Sequence, residues 1–162
     1  MIILGIDPGT SLIGYGIIRH EKKDYEVLDY GALTSGKNLE TKDRVMTIKR
    51  QFDEIIKKFQ PDIVSIEELF FFKNAKTVIK VAEMRGALLV FASLHNLKIK
   101  EFTPLQIKQS VTGYGRADKT QVQEMVRVIL QLELIPKPDD AADALAAAIC
   151  CANSLSNDQE II

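Results

Sequence analysis

The sequence predicts an α/β fold in which helices cover both faces of a mixed five-stranded sheet. Near the N-terminus, three apolar segments follow one another with short turns between them, which is typical of an antiparallel meander. Farther along, short apolar strands alternate with longer segments of helical periodicity, which is the pattern of βαβ crossovers. The chain has 162 residues, 46% of them hydrophobic, and this length suits one domain with its own core.

The meander is predicted as strands at 2–7, 13–19 and 25–33. The first strand is an apolar run that ends in Asp7-Pro8-Gly9, a sequence that favours a turn. A fourth strand at 63–66 is short and largely apolar, as expected of a central strand that is buried on both faces.

Two long helices flank the fourth strand. Between residues 43 and 59, apolar residues recur at helical spacing on one face, with charged residues on the other. The helix predicted at 74–95 carries two apolar lines. The second line indicates a further buried surface, such as a contact with a partner chain.

The second half of the chain contains one more strand and three helices, predicted at 98–102, from Pro104, at 119–132 and at 139–152. The last helix is rich in alanine. Residues 154–162 are mostly polar, so we expect a domain at 1–153 followed by a flexible C-terminal tail at 154–162.

The net charge of −1 hides an uneven distribution. Between residues 73 and 127 the basic side chains are those of Lys73, Lys76, Lys80, Arg85, Lys98, Lys100, Lys108, Arg116, Lys119 and Arg127. Few acidic residues lie among them, so the middle of the chain is basic and both ends are acidic. A basic surface can neutralise phosphates, although solvated helix faces would give the same pattern.

The sequence favours a cytoplasmic protein that is not bound to a membrane. No apolar run approaches the ~18 residues that a membrane span needs, and residues 1–7 lack the features of a signal peptide. The adjacent Cys150 and Cys151 suit small buried residues better than a disulfide, which is consistent with a reducing compartment.

Four acidic positions could carry chemistry, because they lie at strand ends or on one helix face. They are Asp7 after the first strand, Glu67 or Glu68 after the fourth, and Asp140 and Asp143 on the last helix. Each position also has an ordinary explanation, such as a turn, a solvated strand end or a helix cap. Either Asp139 or Asp140 would serve as the N-terminal cap of the last helix.

Taken together, these carboxylates predict a metal site. The first and fourth strands are natural neighbours in such a sheet, so their ends can bring Asp7 close to one of the glutamates, and the last helix can present Asp140 and Asp143 over the same point. Clustered carboxylates repel unless hard cations lie between them, and oxygen ligands suit Mg²⁺ or Mn²⁺. Two such ions about 3.5–4 Å apart would support in-line attack on phosphorus.

Several motifs resemble those of a known family. They are Gly5-Ile6-Asp7-Pro8-Gly9-Thr10, Gly14-Tyr15-Gly16, Ile66-Glu67, Lys73-Asn74-Ala75, 82–86, 104–113, 117–127 and 140–146. In this order and at this chain length, they resemble the RuvC family of bacterial Holliday-junction resolvases. The resemblance runs from Met1 to about Ala152.

The resemblance implies an RNase H-like fold and a homodimeric, Mg²⁺-dependent endonuclease that acts in homologous recombination and DNA repair. Such enzymes cut four-way DNA junctions by two symmetric nicks. The acidic positions of the family fall on Asp7, Glu67, Asp140 and Asp143, which selects Glu67 over Glu68. Two Mg²⁺ per subunit are implied, with Mn²⁺ as a substitute, and the branch-migration complex RuvA–RuvB is implied as a partner.

The resemblance also implies basic and aromatic side chains that act on DNA. Two basic positions of the family's active-site region fall on Lys108 and Lys119, and a lysine near the scissile phosphate can stabilise developing charge. An aromatic residue that contacts DNA in the family matches Phe70, with Phe71 and Phe72 as alternatives. The basic residues expected to bind DNA are Lys73, Lys76, Lys80 and Arg116.

Three other functions fit parts of the sequence. The Asp7-x-Gly9-Thr10 motif resembles the first phosphate loop of actin-like and sugar kinases, but those proteins need two such domains and no second motif occurs here. A short RNase H-like nuclease that processes ribosomal RNA is the second alternative. The third is a junction-binding module without activity, and the complete carboxylate set argues against it because clustered acids repel DNA.

Overall fold

The computed structural model describes residues 1–36, 38–69 and 75–159. Its strands are β1 (Ile2–Asp7), β2 (Leu12–Glu21), β3 (Asp24–Thr34), β4 (Ile63–Glu67) and β5 (Lys98–Phe102). Its helices are α1 (Thr41–Phe59), α2 (Ala75–Leu94), α3 (Pro104–Thr112), α4 (Lys119–Ile129) and α5 (Asp139–Gln159). The predicted order of strands and helices is confirmed over these ranges.

The five strands form one mixed sheet in the order β3-β2-β1-β4-β5. The first three strands are antiparallel neighbours, as the meander predicts. Strand β4 then pairs in parallel with β1, and β5 pairs in parallel with β4. The C-terminal ends of β1, β4 and β5 therefore meet at one edge of the sheet, where ligands commonly bind in open α/β sheets.

Helices cover both faces of the sheet, and each face has its own core. On one face, α3, α4 and α5 pack against β1, β2, β4 and β5, with Leu145 and Ile149 fully buried among them. On the other face, α1 and α2 contribute Ile48, Phe52 and Phe91 to the second core. The predicted arrangement of helices on both faces is confirmed.

Helix α5 lies close to the sheet because two glycines of the sheet face it. A Cβ atom placed on Gly5 would stand 2.0 Å from the carbonyl oxygen of Ala144, and one on Gly14 would stand 2.0 Å from that of Asp140. These distances are far inside van der Waals contact, so any side chain at either position would push the helix outward. The buried hydroxyl of Ser65 on β4 also donates a hydrogen bond of 2.7 Å to the carbonyl oxygen of Ala147.

Two predicted helix ends are wrong. Helix α4 ends at Ile129, before the predicted 132, because Gln131 adopts a left-handed conformation that breaks the helix. Helix α5 continues past the predicted end at 152 to Gln159. Asn153 accepts a hydrogen bond of 2.5 Å from the Tyr25 hydroxyl, and Ser156 lies 3.2 Å from the ring of His20. Residues 154–159 are thus helical, while the division into a domain at 1–153 and a tail at 154–162 stays a prediction.

Cys150 and Cys151 are buried in α5 and do not form a disulfide. Burial raises the pKa of both thiols, to about 12 for Cys151. Their predicted role as small buried residues is confirmed.

Candidate active site

The ends of two parallel strands bring Asp7 and Glu67 together. Ile6 of β1 lies beside Ile66 of β4 in the parallel register, and the acidic residue follows directly on each strand. Glu67 borders a cavity at this edge of the sheet. By contrast, the backbone N–H of Glu68 donates to the carbonyl oxygen of Phe102 at 2.8 Å, which closes the strand end against β5.

Helix α5 places its first two turns over the same edge. Asp7 pairs with Gly14 in the antiparallel register of β1 and β2, and the carbonyl of Asp140 lies directly over Gly14. Asp143 follows one turn later on the same helix face. Because the helix begins at Asp139, both Asp139 and Asp140 lie in its first turn, where the positive end of the helix dipole favours them.

The electrostatics show that the carboxylates are close to one another. Burial raises the pKa of Asp7 to about 8, and the charges of Asp143, Glu67 and then Asp140 act in the same direction. Burial also raises the pKa of Glu67 to about 7, with a further contribution from Asp143. Burial raises the pKa of Asp143 as well. The nearby positive charges therefore do not balance the negative charge of the carboxylates at this edge of the sheet.

Lys119 and Lys108 lie near this cluster. Lys119, the first residue of α4, places its Nζ 2.9 Å from Oδ2 of Asp143 and 4.0 Å from Oδ2 of Asp139. Burial alone would lower the pKa of Lys119, but its bond to Asp143 and the other nearby carboxylates raise it overall. Lys108 on α3 lowers the pKa of Glu67 through its charge.

Two of the carboxylates, Glu67 and Asp143, and both lysines line a cavity of about 210 Å³. Its lining residues are Glu67, Pro104, Ile107, Lys108, Lys119, Val122, Asp143 and Ala146. A larger cavity of about 700 Å³ lies between the β2–β3 turn, α3 and the end of α5, but no carboxylate is among the described residues that line it. The smaller cavity is the candidate active site because the raised pKa values of Glu67 and Asp143 occur there.

The donor chemistry of the cluster fits a hard divalent cation. Oxygen ligands suit Mg²⁺ and Mn²⁺, and the raised pKa values of Asp7 and Glu67 show a shortage of positive charge. Within the described ranges, no three His, Cys, Asp or Glu side chains form a ready-made ligand set. In this arrangement Lys119 compensates Asp143, and the four-carboxylate metal site stays a prediction.

The residues expected to bind DNA are placed less completely. Lys80 is exposed on α2 and shares a cavity of about 270 Å³ with Thr10, just beyond the turn that follows Asp7. Arg116 is exposed in the loop between α3 and α4, close in sequence to Lys119. Lys76 lies on α2, but its side chain is outside the described part of the molecule. Phe70 and Lys73, together with the alternatives Phe71 and Phe72, lie outside the described residues.

One contact at the site was not anticipated from the sequence. Arg85 of α2 donates through Nε to the carbonyl oxygen of Glu67 at 2.9 Å, and its Nη2 pairs with the carboxylate of Glu101 on β5. The only signal in the sequence is the position of Arg85 within the 82–86 motif, and that motif assigns no role to it.

Comparison with known proteins decides the family. The family model described as crossover junction endodeoxyribonuclease RuvC matches residues 3–151. The chain belongs to the RuvC family. A member described as crossover junction endodeoxyribonuclease RuvC from Alkaliphilus oremlandii is 54% identical over 154 residues, which cover 95% of this chain and 94% of the relative. The RuvC relative from Ruminiclostridium cellulolyticum is 52% identical over 154 residues, which cover 95% and 93%.

Solved structures agree with this assignment. RuvC from Thermus thermophilus, in complex with a Holliday junction substrate, superimposes with a TM-score of 0.91 at 33% identity, covering 98% of this chain and 96% of that one. A fowlpox virus resolvase shares the fold, with a TM-score of 0.62 at 17% identity over 96% of this chain and 99% of that one. The predicted RNase H-like fold is confirmed. Among the described residues, no helix has both the length and the apolar character needed to cross a membrane.

Proposed function

We propose that this RuvC-family chain resolves four-way DNA junctions by paired symmetric nicks, as a divalent-metal-dependent endonuclease. The observation that carries the proposal is the convergence of Asp7, Glu67 and the first turns of α5 at one edge of the sheet. The printed descriptions of its relatives, a crossover junction endodeoxyribonuclease and a RuvC bound to a Holliday junction, support the same substrate. A cytoplasmic location fits a DNA substrate.

Asp7, Glu67, Asp140 and Asp143 are the residues that would hold Mg²⁺ or Mn²⁺, two ions per subunit. When bound, such ions supply Lewis acidity for phosphodiester hydrolysis. The protein would contribute the carboxylates, which β1, β4 and α5 carry at this edge of the sheet. Asp7 and Glu67 must lose their protons to act as ligands, so cations and protons compete for this edge of the sheet.

Lys119 and Lys108 would stabilise the charge that develops on the reacting phosphate. Lys119 now neutralises Asp143 at 2.9 Å. A cation bound to Asp143 would take over that role and leave the ammonium group available for a phosphate oxygen. Lys108 borders the same cavity from α3, so the two lysines approach the site from neighbouring helices.

The first experiment is a cleavage assay on an end-labelled, mobile four-way DNA junction, with Mg²⁺ or with EDTA. A linear duplex and an RNA–DNA hybrid serve as parallel substrates. We expect paired symmetric nicks in the junction alone, and only when metal is present. Cleavage of RNA with the junction left intact would favour the RNA-processing alternative. Tight junction binding without cleavage would favour the binding module.

Neighbouring carboxylates provide matched control variants for the site. We expect Asp7→Asn and Glu67→Gln to abolish cleavage while junction binding persists, because each removes a proposed metal ligand. Glu68→Gln should keep cleavage within about twofold of the unmodified protein, since Glu68 does not border the cavity. Cleavage by Asp7→Asn at the unmodified rate would contradict the assignment of the site.

The proposed homodimer has a candidate surface on α2. The apolar side chains of Ile79, Val90 and Leu94 are 59%, 56% and 66% exposed along one face of this helix. Between them, Gly86 has open space where a Cβ would stand, so a second helix could approach closely. The opposite face of α2 packs Met84 and Leu88 into the core.

Light scattering on the purified protein tests this surface. We expect a dimer, and we expect Val90→Arg to yield monomers that no longer make the two nicks together, because a symmetric dimer presents its two sites to two strands. Val128→Arg on α4 is the matched control, since Val128 is equally apolar and 50% exposed but lies outside this face. Dimers of the Val90→Arg variant would contradict the proposal.

The basic residues proposed to bind the phosphates of the junction are Lys73, Lys76, Lys80 and Arg116. Affinity for the junction should therefore fall steeply with added salt.

Phe70 is proposed to stack on an unpaired base, an interaction worth about 1–3 kcal/mol. We expect Phe70→Ala to cleave a closed junction poorly but to bind a pre-opened junction normally, with Phe71→Ala and Phe72→Ala as matched comparisons. Equal loss on both substrates would indicate a role in folding. Cooperation with RuvA–RuvB rests on family membership alone.

A further inference from the structure

We propose that Arg85 is a positioning residue that holds Glu67 in place for metal binding; this inference rests on the function proposed above. Its guanidinium group reaches two acceptors from α2. Nε donates to the carbonyl oxygen of Glu67 at 2.9 Å, and Nη2 pairs with the carboxylate of Glu101 on β5. The contact therefore ties a helix on one face of the sheet to the strand end that carries a proposed ligand.

The location of the contact matters because the strand ladder ends here. The pairing of β1 with β4 stops at Ile66, one residue before Glu67. On the β5 side, the peptide after Glu67 is held by the bond from the N–H of Glu68 to the carbonyl of Phe102. Arg85 donates to the carbonyl of Glu67. Both the carbonyl and the N–H of the peptide group between Glu67 and Glu68 therefore have hydrogen-bond partners. The carboxylate thus extends from a backbone that cannot shift freely.

The burial of Arg85 indicates that the contact is persistent. The side chain of Arg85 is only 15% exposed, and an arginine keeps its charge at all physiological pH values, so it needs acceptors in place of water. Glu101 and the carbonyl of Glu67 supply them. In the exposed pair of Arg19 with Glu26, the side chains are 40% and 61% exposed, and such pairs contribute little.

Arg85 acts from the side of the sheet opposite to the cavity. Glu67 borders the cavity beside Asp143 and α5, whereas Arg85 belongs to α2 and is not among the cavity's lining residues. Its replacement should therefore change how well the site holds metal without removing a contact to DNA. Residues that orient metal ligands in this way typically affect metal affinity or activity by about 10–100-fold.

The test compares Arg85→Ala, Arg85→Lys and Glu101→Gln with the unmodified full chain, and Arg19→Ala is the matched control. Mn²⁺ alone is titrated into each protein by calorimetry. Single-turnover junction cleavage is then followed against metal concentration, well below the melting temperature. Junction affinity is measured in EDTA.

We expect Arg85→Ala to weaken Mn²⁺ binding and to slow cleavage by about 10–100-fold, with junction affinity changed less than about twofold. Arg85→Lys should be intermediate, because a lysine keeps the charge but lacks the planar fork that bonds both acceptors. Glu101→Gln should have the smallest effect of the three. Arg19→Ala should match the unmodified protein in every measurement.

The proposal is overturned if Mn²⁺ affinity and cleavage in Arg85→Ala stay within about twofold of the unmodified protein. It is equally overturned if the variant only lowers the melting temperature, because that outcome indicates a structural role. If Arg85→Ala does not fold, Arg85→Lys and Glu101→Gln decide by the same measurements. If the unmodified chain binds Mn²⁺ but cuts no junction, weakened Mn²⁺ binding in Arg85→Ala still supports positioning while the proposed function fails. An unmodified chain that binds no Mn²⁺ overturns both.

Discussion

The two faces of the sheet are packed in different ways. On the face of α5, backbone meets backbone, since Gly5 and Gly14 leave no side chain between the strands and the helix. On the face of α1 and α2, large side chains such as Phe52 and Phe91 separate the helices from the sheet.

This difference shows how the fold fixes the proposed site. Where backbones touch, steric contact between main-chain atoms sets the position of α5, and no side chain can adjust to absorb a change. Where large side chains intervene, neighbouring rotamers can repack around a substitution. The face that carries Asp140 and Asp143 is therefore the less tolerant one, and the opposite face should tolerate changes in core volume better.

The largest effect should come from inserting one methyl group on the face of α5. In Gly14→Ala the new Cβ would meet the carbonyl of Asp140 at 2.0 Å, so α5 must move outward. We expect a loss of about 3 kcal/mol or more in the free energy of unfolding. Cleavage should fall about 100-fold or more, because a shift of 1 Å at a catalytic group can cost that much. Chemical denaturation and single-turnover cleavage measure the two effects.

The face of α5 also carries electrostatic strain, at the buried carboxyl group of Asp7. The folded state raises the pKa of Asp7 from its ordinary 3.8 to about 8, so the folded protein binds a proton that the unfolded chain releases. The free energy of unfolding of the metal-free protein should therefore fall as pH rises from about 4 to 8. Asp7→Asn removes this charge and should stabilise the metal-free protein by about 2 kcal/mol at pH 8, while cleavage is lost.

Thermal melting in EDTA between pH 5 and 8 checks this prediction. The difference in melting temperature between Asp7→Asn and the unmodified protein should widen with pH and close again when Mn²⁺ is added to the unmodified protein. Asp24→Asn is the control, because Asp24 is the first residue of β3, at the end of the sheet opposite to Asp7. A difference that does not vary with pH would contradict the assignment of Asp7 to a strained cluster.

The opposite face should tolerate a comparable change in volume. Phe52 is fully buried against Phe91. In Phe52→Leu, neighbouring side chains can fill only part of the space that the ring occupied. We expect a loss of about 1–2 kcal/mol in the free energy of unfolding. Cleavage well below the melting temperature should remain within about twofold of the unmodified rate, since no backbone contact with α5 is involved. A large loss of cleavage would show that the packing of this core also controls the site.

The smallest effect should come from a buried side-chain hydrogen bond between β4 and α5. In Ser65→Ala, the carbonyl of Ala147 loses a buried hydrogen bond of 2.7 Å. We expect a loss of about 1 kcal/mol in stability and a reduction in cleavage of only a few-fold. If Ser65→Ala matched Gly14→Ala in either measurement, close backbone contact would not be the main restraint on α5.

The sequence was most informative where local periodicity or turn chemistry decides the structure. The order of all strands and helices was predicted, because apolar spacing distinguishes strands from helices. The end of α5 was not, since most residues after 152 are polar. Residues 154–156 stay helical through contacts with residues that are distant in sequence, such as that between Ser156 and His20 of β2.

By itself, the sequence determined the kind of fold, the acidic residues that could bind metal and, through its motifs, the resemblance to one family. The tertiary structure decided which of these residues meet. Parallel pairing of β1 and β4 places Asp7 beside Glu67, glycine contacts place α5 over them, and Arg85 reaches the strand end from the other face. These relations join residues far apart in the chain. Their geometry depends on close packing in three dimensions, which local sequence patterns do not encode.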